Sequence, residues 1–237
     1  MGEDCIVIQE INQKENYDYL RLSKQKDLLR SWIFMIIVNK NHLQTKRPLM
    51  YQFSYFKEKD RQAILNFMEE HPFAFLSGCS LSGNPVATQI PFLIEERGGE
   101  LYIQGHIMRN TDHHKALVEN PNALVVFTGP STYVSATWYT NQQGGSTWNY
   151  MSVHINGPVK FMSPDELIQF MRKFTLKFEK GNRESLTIYD NLPASYVNKM
   201  MPAIAGFEIK AEKIDNVFKL SQNRDETSYL NIISKLE

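Results

Sequence analysis

The sequence predicts a mainly β fold with flanking helices, built on an antiparallel sheet or barrel. Three observations carry this expectation. Short β-prone runs bounded by Gly, Pro and Asn turn signals follow one another from Phe73 onward. The stretch Phe127 to Phe161 is dense in aromatics and hydroxyls and ends on an alternating strand. Between these runs lie short amphipathic helices, one of them opened by Ser163-Pro164-Asp165-Glu166, a capping box with Pro at its first helical position.

Residues 1 to 49 differ in character from the rest of the chain. Gln9 to Arg30 is polar and charged, and Lys40 to Pro48 is basic and polar. From Met50 the punctuation is clean to the C-terminus, so residues 50 to 237 read as one domain. We expect Met50 to be the native start, with 1 to 49 an upstream extension from start-codon choice. The rival is a helical arm over Tyr19 to Val38. Intact mass from the native host decides, and a chain beginning at Met1 would refute the late start.

Asp60 is placed to cap a helix over Arg61 to Glu70, ended by His71-Pro72. Phe73 to Cys79 and Val86 to Ile94 flank the turn Ser82-Gly83-Asn84-Pro85 and read as a hairpin. Gly98-Gly99 turns the chain into Leu101 to His106, completing an expected three-strand meander. A short helix comes next, with Leu117 and Val118 inward, stopped at Asn120-Pro121. Leu124 to Thr128 is expected to stop at Gly129-Pro130, before strands Thr132 to Trp138 and Thr147 to Val159.

On the last of these, Trp148, Tyr150, Ser152, His154 and Asn156 share one face, and Asn149, Met151, Val153 and Ile155 the other. A wall that is apolar on one side and polar-aromatic on the other suits either a flat ligand or any amphipathic sheet. The helix after Ser163 runs to Gly181 with Leu167, Phe170, Met171, Phe174 and Phe178 at helical spacing, a stripe that reads as core packing. Asn191 to Met201 reads as a short helix. Strands Ala205 to Ala211 and Ile214 to Lys219 come after it, then a helix from Asp225 to Leu236 with Tyr229, Ile232, Ile233 and Leu236 inward.

Composition excludes several function classes. Formal net charge is zero over 237 residues, which removes a pervasive basic surface as an argument for DNA binding. Two cysteines, Cys5 and Cys79, make neither a disulfide framework nor a Cys-based zinc site and fit a reducing compartment. The apolar run Trp32 to Val38 is too short to span a bilayer, so a cytoplasmic protein with no membrane partner is expected. Adjacent His113 and His114 diverge around a helix, and no HExxH, CxxC, GxSxG, Walker or Rossmann pattern occurs. No metal site is expected and no catalytic residue is assigned. One anion site remains: His106, Arg109, Asn110 and Thr111 gather where a strand turns into a helix N-terminus, and Arg109 adds a bidentate fork suited to phosphate.

The run PVATQIPFLIEERGGELYIQGHIMRNTDHHKALVENPNALVVFTGP resembles the core of FMN-binding split-barrel proteins. More narrowly, GHIMRN, GPSTYVSATWY, STWNYMSVHINGPVKF and KLSQNR together resemble the PaiB family, described as FMN-binding negative transcriptional regulators. The resemblance covers about Met50 to Leu236. It implies a six-stranded Greek-key split β-barrel with flanking helices, forming a homodimer with each flavin at the subunit interface.

By that resemblance, Arg109 and Asn110 reach the FMN phosphate and ribityl chain with His106 nearby. Gln89 approaches the isoalloxazine edge. Trp148 and Asn149 border the ring, from either subunit, and the Gln142 to Ser146 loop is a lid or dimer contact. Where related proteins carry a phosphate-binding Lys, this chain places His113. The implied role is transcriptional repression, through DNA or a regulatory protein. The chain shows no helix-turn-helix, and its best basic edge is Arg172, Lys173, Lys177 and Lys180. The alternative is a flavin-dependent oxidoreductase or flavin reductase without direct DNA binding.

Overall fold

The structure, a computed structural model, describes residues 53–237. The proposed start at Met50 and the extension 1 to 49 lie outside them. Among the described residues there are eight strands, two more than the resemblance implies: β1 Phe73–Cys79, β2 Pro85–Pro91, β3 Leu93–Arg97, β4 Glu100–Met108, β5 Asn122–Val134, β6 Thr147–Phe161, β7 Ile204–Lys210 and β8 Lys213–Lys219. Five α-helices of the described residues flank them: α1 Arg61–Glu70, α2 Asp112–Glu119, α3 Pro164–Phe178, α4 Ala194–Met200 and α5 Glu226–Leu236. Every strand pairing is antiparallel. The order is β2-β1-β5-β6-β7-β4-β3, with β8 also on β6. The expected α+β split barrel is the fold.

The capping signals behave as read. Asp60 accepts from Gln62 N at the head of α1, and Ser163 and Glu166 exchange both bonds of the box at the head of α3. Pattern alone misjudged the expected meander. The run Val86 to Ile94 breaks at Phe92, so β2 and β3, adjacent in sequence, lie at opposite ends of the strand order. Phe92 turns fully inward, its ring centroid 5.7 Å from Phe127 and 6.1 Å from Phe207, and its N–H donates to Pro72 O. A continuous apolar run cannot signal such a switch, because both halves are equally strand-prone.

Gly129-Pro130 does not end a strand. β5 runs through it with a bulge between Thr128 and Ser131, and a Cβ at Gly129 would lie 2.7 Å from the Phe67 ring. The expected strand Thr132 to Trp138 ends at Val134. A 3-10 turn, Ala136–Trp138, comes next, capped by Ser135. β6 pairs with β8 over residues 150 to 156 and with β7 from Val159. The branch is at Gly157, where a Cβ would stand 2.2 Å from Lys210 O.

Inside lies one apolar core, including Leu76, Ile103, Phe127, Ile155 and Phe207. α3 covers the outer face of β4 and β7, packing Leu167 and Phe170 on Leu93 and Ile204. Val118 points outward rather than inward, and on α5 only Ile232 of the four expected residues is buried. No described helix is long and apolar enough to cross a membrane.

Candidate functional site

The site is built on two sheet faces and one corner. The first face is the outside of β2-β1-β5-β6-β8. Registers align Gln89 with Phe75, Phe75 with Val126, Val126 with His154, and His154 with Asp215, so five side chains form one row across five strands. Further along, Tyr133 is paired with Trp148, their rings edge to face at 6.0 Å. Phe73, Phe75, Tyr133 and Trp148 are 54%, 42%, 48% and 55% exposed. Large aromatics left uncovered on one face mark an interaction surface. Gln89 is exposed beside them, its amide 3.4 Å from Phe73 O.

The corner is where β2 meets α2. Thr88 Oγ1 and His113 Nδ1 are 2.6 Å apart, while His113 Nε2 is buried with no partner. Desolvation holds the His113 imidazole below its usual pKa, partly offset by Asp112. Asn110 takes φ 64°, left-handed backbone that Asn tolerates better than most residues. Its N–H points at His114 Nδ1, 3.4 Å away. The Thr111 hydroxyl accepts from His114 N and donates to Met108 O, and Asp112 accepts from His113 N. Thr111 and Asp112 thus occupy N–H groups expected to greet an anion.

Arg109 comes directly after β4. It lines a cavity of about 340 Å³ with residues of α3, α4 and their connection, including Leu167, Tyr189, Val197 and Met201. Among the described residues no carboxylate pairs with it. It lies near enough to His114 to reinforce the burial that lowers that imidazole's pKa.

The second face belongs to β4 and β7, beneath α3. There His106 packs edge-on to Phe174 with centroids 5.3 Å apart, Nδ1 buried without a partner, and burial lowers its pKa. The predicted residues therefore divide. Gln89 and Trp148 share the open face; His106 lies under α3 and Arg109 at a cavity it helps to wall; Asn110 links them at the corner. Asn149 occupies the opposite side of β6 from Trp148, 7% exposed, accepting from the Ser221 hydroxyl at 2.8 Å. Sequence reasoning missed the Thr88–His113 pair as a unit. The signal was His113 standing where the split-barrel resemblance leads one to expect a Lys.

The basic edge of α3 is largely neutralised. Arg172 pairs with Asp190 at 2.7 Å, Lys173 with Glu95 at 3.4 Å, and Lys177 with Glu69. Such exposed pairs add little stability, but they cancel the charge a phosphate backbone would need.

A family described as "Putative FMN-binding domain" matches residues 50–213. The chain belongs to this family. A relative, "Protease synthase and sporulation protein PAI 2" of Bacillus subtilis (strain 168), is 34% identical over 188 residues, covering 79% of this chain and 89% of that protein. The PaiB resemblance therefore holds, and FMN is the cofactor that membership in the FMN-binding family gives the chain. Two solved structures share the fold. One is the FAD and heme binding protein from Mycobacterium smegmatis, TM-score 0.54 and 19% identity, covering 73% of this chain and 78% of that one. The other is the flavocytochrome Anf3 from Azotobacter vinelandii, TM-score 0.51 and 18% identity, covering 73% and 74%.

The residues fit the cofactor. Arg109, which no described carboxylate pairs, carries a fork that would suit a phosphate, and the row through Phe75 and Gln89 would offer a flat, partly apolar bed for a ring system.

Proposed function

We propose that this chain binds FMN between two copies of itself and acts in transcriptional repression, directly or through a regulatory protein. FMN supplies reversible redox chemistry; the protein supplies its binding and orientation. In this reading Arg109 holds the phosphate by a charge-assisted bond and Asn110 steadies the ribityl chain, with His106 and His113 as neutral neighbours. Gln89 faces the ring edge. The partner subunit's Trp148 borders the ring, and Asn149 behind it fixes the strand through Ser221.

The observation that supports the reading best is the open aromatic face. Phe73, Phe75, Tyr133 and Trp148 remain exposed while the opposite face is covered by α3. A second copy would bury them and close the flavin away from water.

The test is equilibrium FMN titration of wild type and Arg109→Ala. We expect a loss of about 1.5–3 kcal/mol in binding, the range of a hydrogen bond to a charged group. Unchanged affinity would move the phosphate elsewhere.

One observation favours a second reading. Three of the four cations on that basic edge, Arg172, Lys173 and Lys177, are ion-paired, which suits a flavin-dependent oxidoreductase that never touches DNA. Anaerobic stopped-flow mixing with NADH or NADPH separates the two. Rapid bleaching of the flavin absorbance supports the enzyme; an unreduced flavin leaves the regulator standing.

A further inference from the structure

The cavity behind Arg109 has no part in holding the flavin ring in the proposed arrangement, yet it is built as a pocket. Arg109 N donates to Ala203 O at 2.8 Å, which ties the exit of β4 to the turn after α4. The capping box fixes the head of α3 on the other side, where Pro164 and Leu167 join the wall. Ile168 of α3, Val197 of α4 and Met201 beyond it complete a mostly apolar lining around about 340 Å³.

Three polar groups interrupt that lining: Arg109, Tyr189 and Asn198. Arg109 and Asn198 are exposed, whereas Leu167 is 3% exposed, so the polar groups stand at the rim and the apolar wall lies within. Tyr189 is held in place at both ends. Its N–H donates to Thr175 Oγ1 at 2.8 Å, and the Arg172 guanidinium lies 5.8 Å from its ring centroid. Asp190, the next residue, is taken by Arg172 at 2.7 Å and is not a partner for Arg109.

The volume and the rim chemistry together narrow the ligand. A dry cavity of about 150 Å³ accommodates one benzene ring, so this one has room for a two-ring base. An Asn amide presents a donor and an acceptor side by side, the pair that reads the N6 and N7 edge of adenine. A tyrosine ring and aliphatic side chains suit the faces of such a base. The Arg109 fork suits a phosphate. A phosphate at one side of the rim and a purine inside describe an adenylate.

FMN ends in a phosphate monoester, and in FAD the same phosphate continues through a pyrophosphate to adenosine. We propose that the cavity between α3 and α4 receives the adenylate half of FAD, with the shared phosphate at Arg109 and the adenine beside Tyr189, Val197 and Asn198. The inference rests on the reading that Arg109 holds the flavin phosphate. It adds that the site extends past that phosphate, so FAD binds as well as FMN and more tightly.

The test is equilibrium titration of the full chain with FMN, with FAD and with adenosine alone. FAD is expected to bind about tenfold or more tighter than FMN, because the adenine adds contacts that FMN lacks. Val197→Trp fills the cavity and should abolish that advantage while leaving FMN affinity unmoved. Asn198→Ala, an exposed change, should weaken FAD by about fivefold or more and again leave FMN unmoved. Arg109→Ala should weaken both flavins. A thermal melt like that of wild type excludes misfolding in each variant. FAD binding no tighter than FMN, or an advantage for FAD that survives both Val197→Trp and Asn198→Ala, would overturn the proposal. Failure of both flavins would remove the flavin reading itself, and adenosine then decides the cavity. Saturable adenosine binding that Val197→Trp abolishes would keep the adenine assignment; no adenosine binding would overturn it.

Discussion

The two outer faces of the barrel are built from the same alternating strands and finished differently. On β4 and β7 the outward residues are covered by α3, which buries Leu167 and Phe170 and leaves His106 beneath an aromatic lid. On β2, β1, β5 and β6 the outward row keeps Phe73, Phe75, Tyr133 and Trp148 open to solvent. Among the described residues one face has a cover and the other has none, and large uncovered aromatics are what a surface that meets something else presents.

The largest expected effect breaks the barrel itself. Phe127→Ala removes one fully buried ring of the aromatic trio centred on Phe92 and should destabilise by about 3–5 kcal/mol, read as a lower denaturant midpoint with unchanged slope. Phe75→Ala on the open face should change protomer stability by no more than about 0.5 kcal/mol. It should nonetheless weaken both self-association and FMN retention. Comparable destabilisation by the two substitutions would mean that Phe75 belongs to the protomer core and that the faces do not differ.

A smaller effect comes from the buried imidazoles. Desolvation holds His106, His113 and His154 below their usual pKa of 6.5 in the folded chain. The unfolded chain then binds more protons as pH falls below that value, so stability is full above it and is lost on acidification. The thermal midpoint should drop between about pH 7.5 and about pH 5. A flat or rising midpoint would mean that these rings find partners as cations. His106→Phe and His113→Gln should each remove part of the slope, the first reporting the covered face and the second the β2–α2 corner.

Where local chemistry decides structure, the sequence was legible. Asp60 and Ser163 fix helix starts through their own side chains, and Leu167 and Phe170 lie inward because their spacing matches the helix. The switch at Phe92 and the bulge after Thr128 were not legible. Each depends on a long-range contact, Phe92 with Phe127 and Phe207, Gly129 with Phe67, that no local pattern encodes. The geometry of the candidate site was legible in part for the same reason. Arg109 and Asn110 belong to a strand-to-helix turn that local signals reveal, whereas Thr88 meeting His113 requires β2 to lie beside α2. The outward turn of Tyr229 and Ile233 on α5 has a related cause: an amphipathic stripe shows which side is apolar, but not how wide a strip the neighbouring element covers.

The central claim is that the open face and the β2–α2 corner bind FMN between two chains. The most direct measurement is size-exclusion chromatography of the protein after FMN addition, monitored at the protein and flavin absorbance bands together. The account predicts a dimer peak that carries flavin in a one-to-one ratio to chains. A colourless dimer, or flavin riding on a monomer, would contradict it.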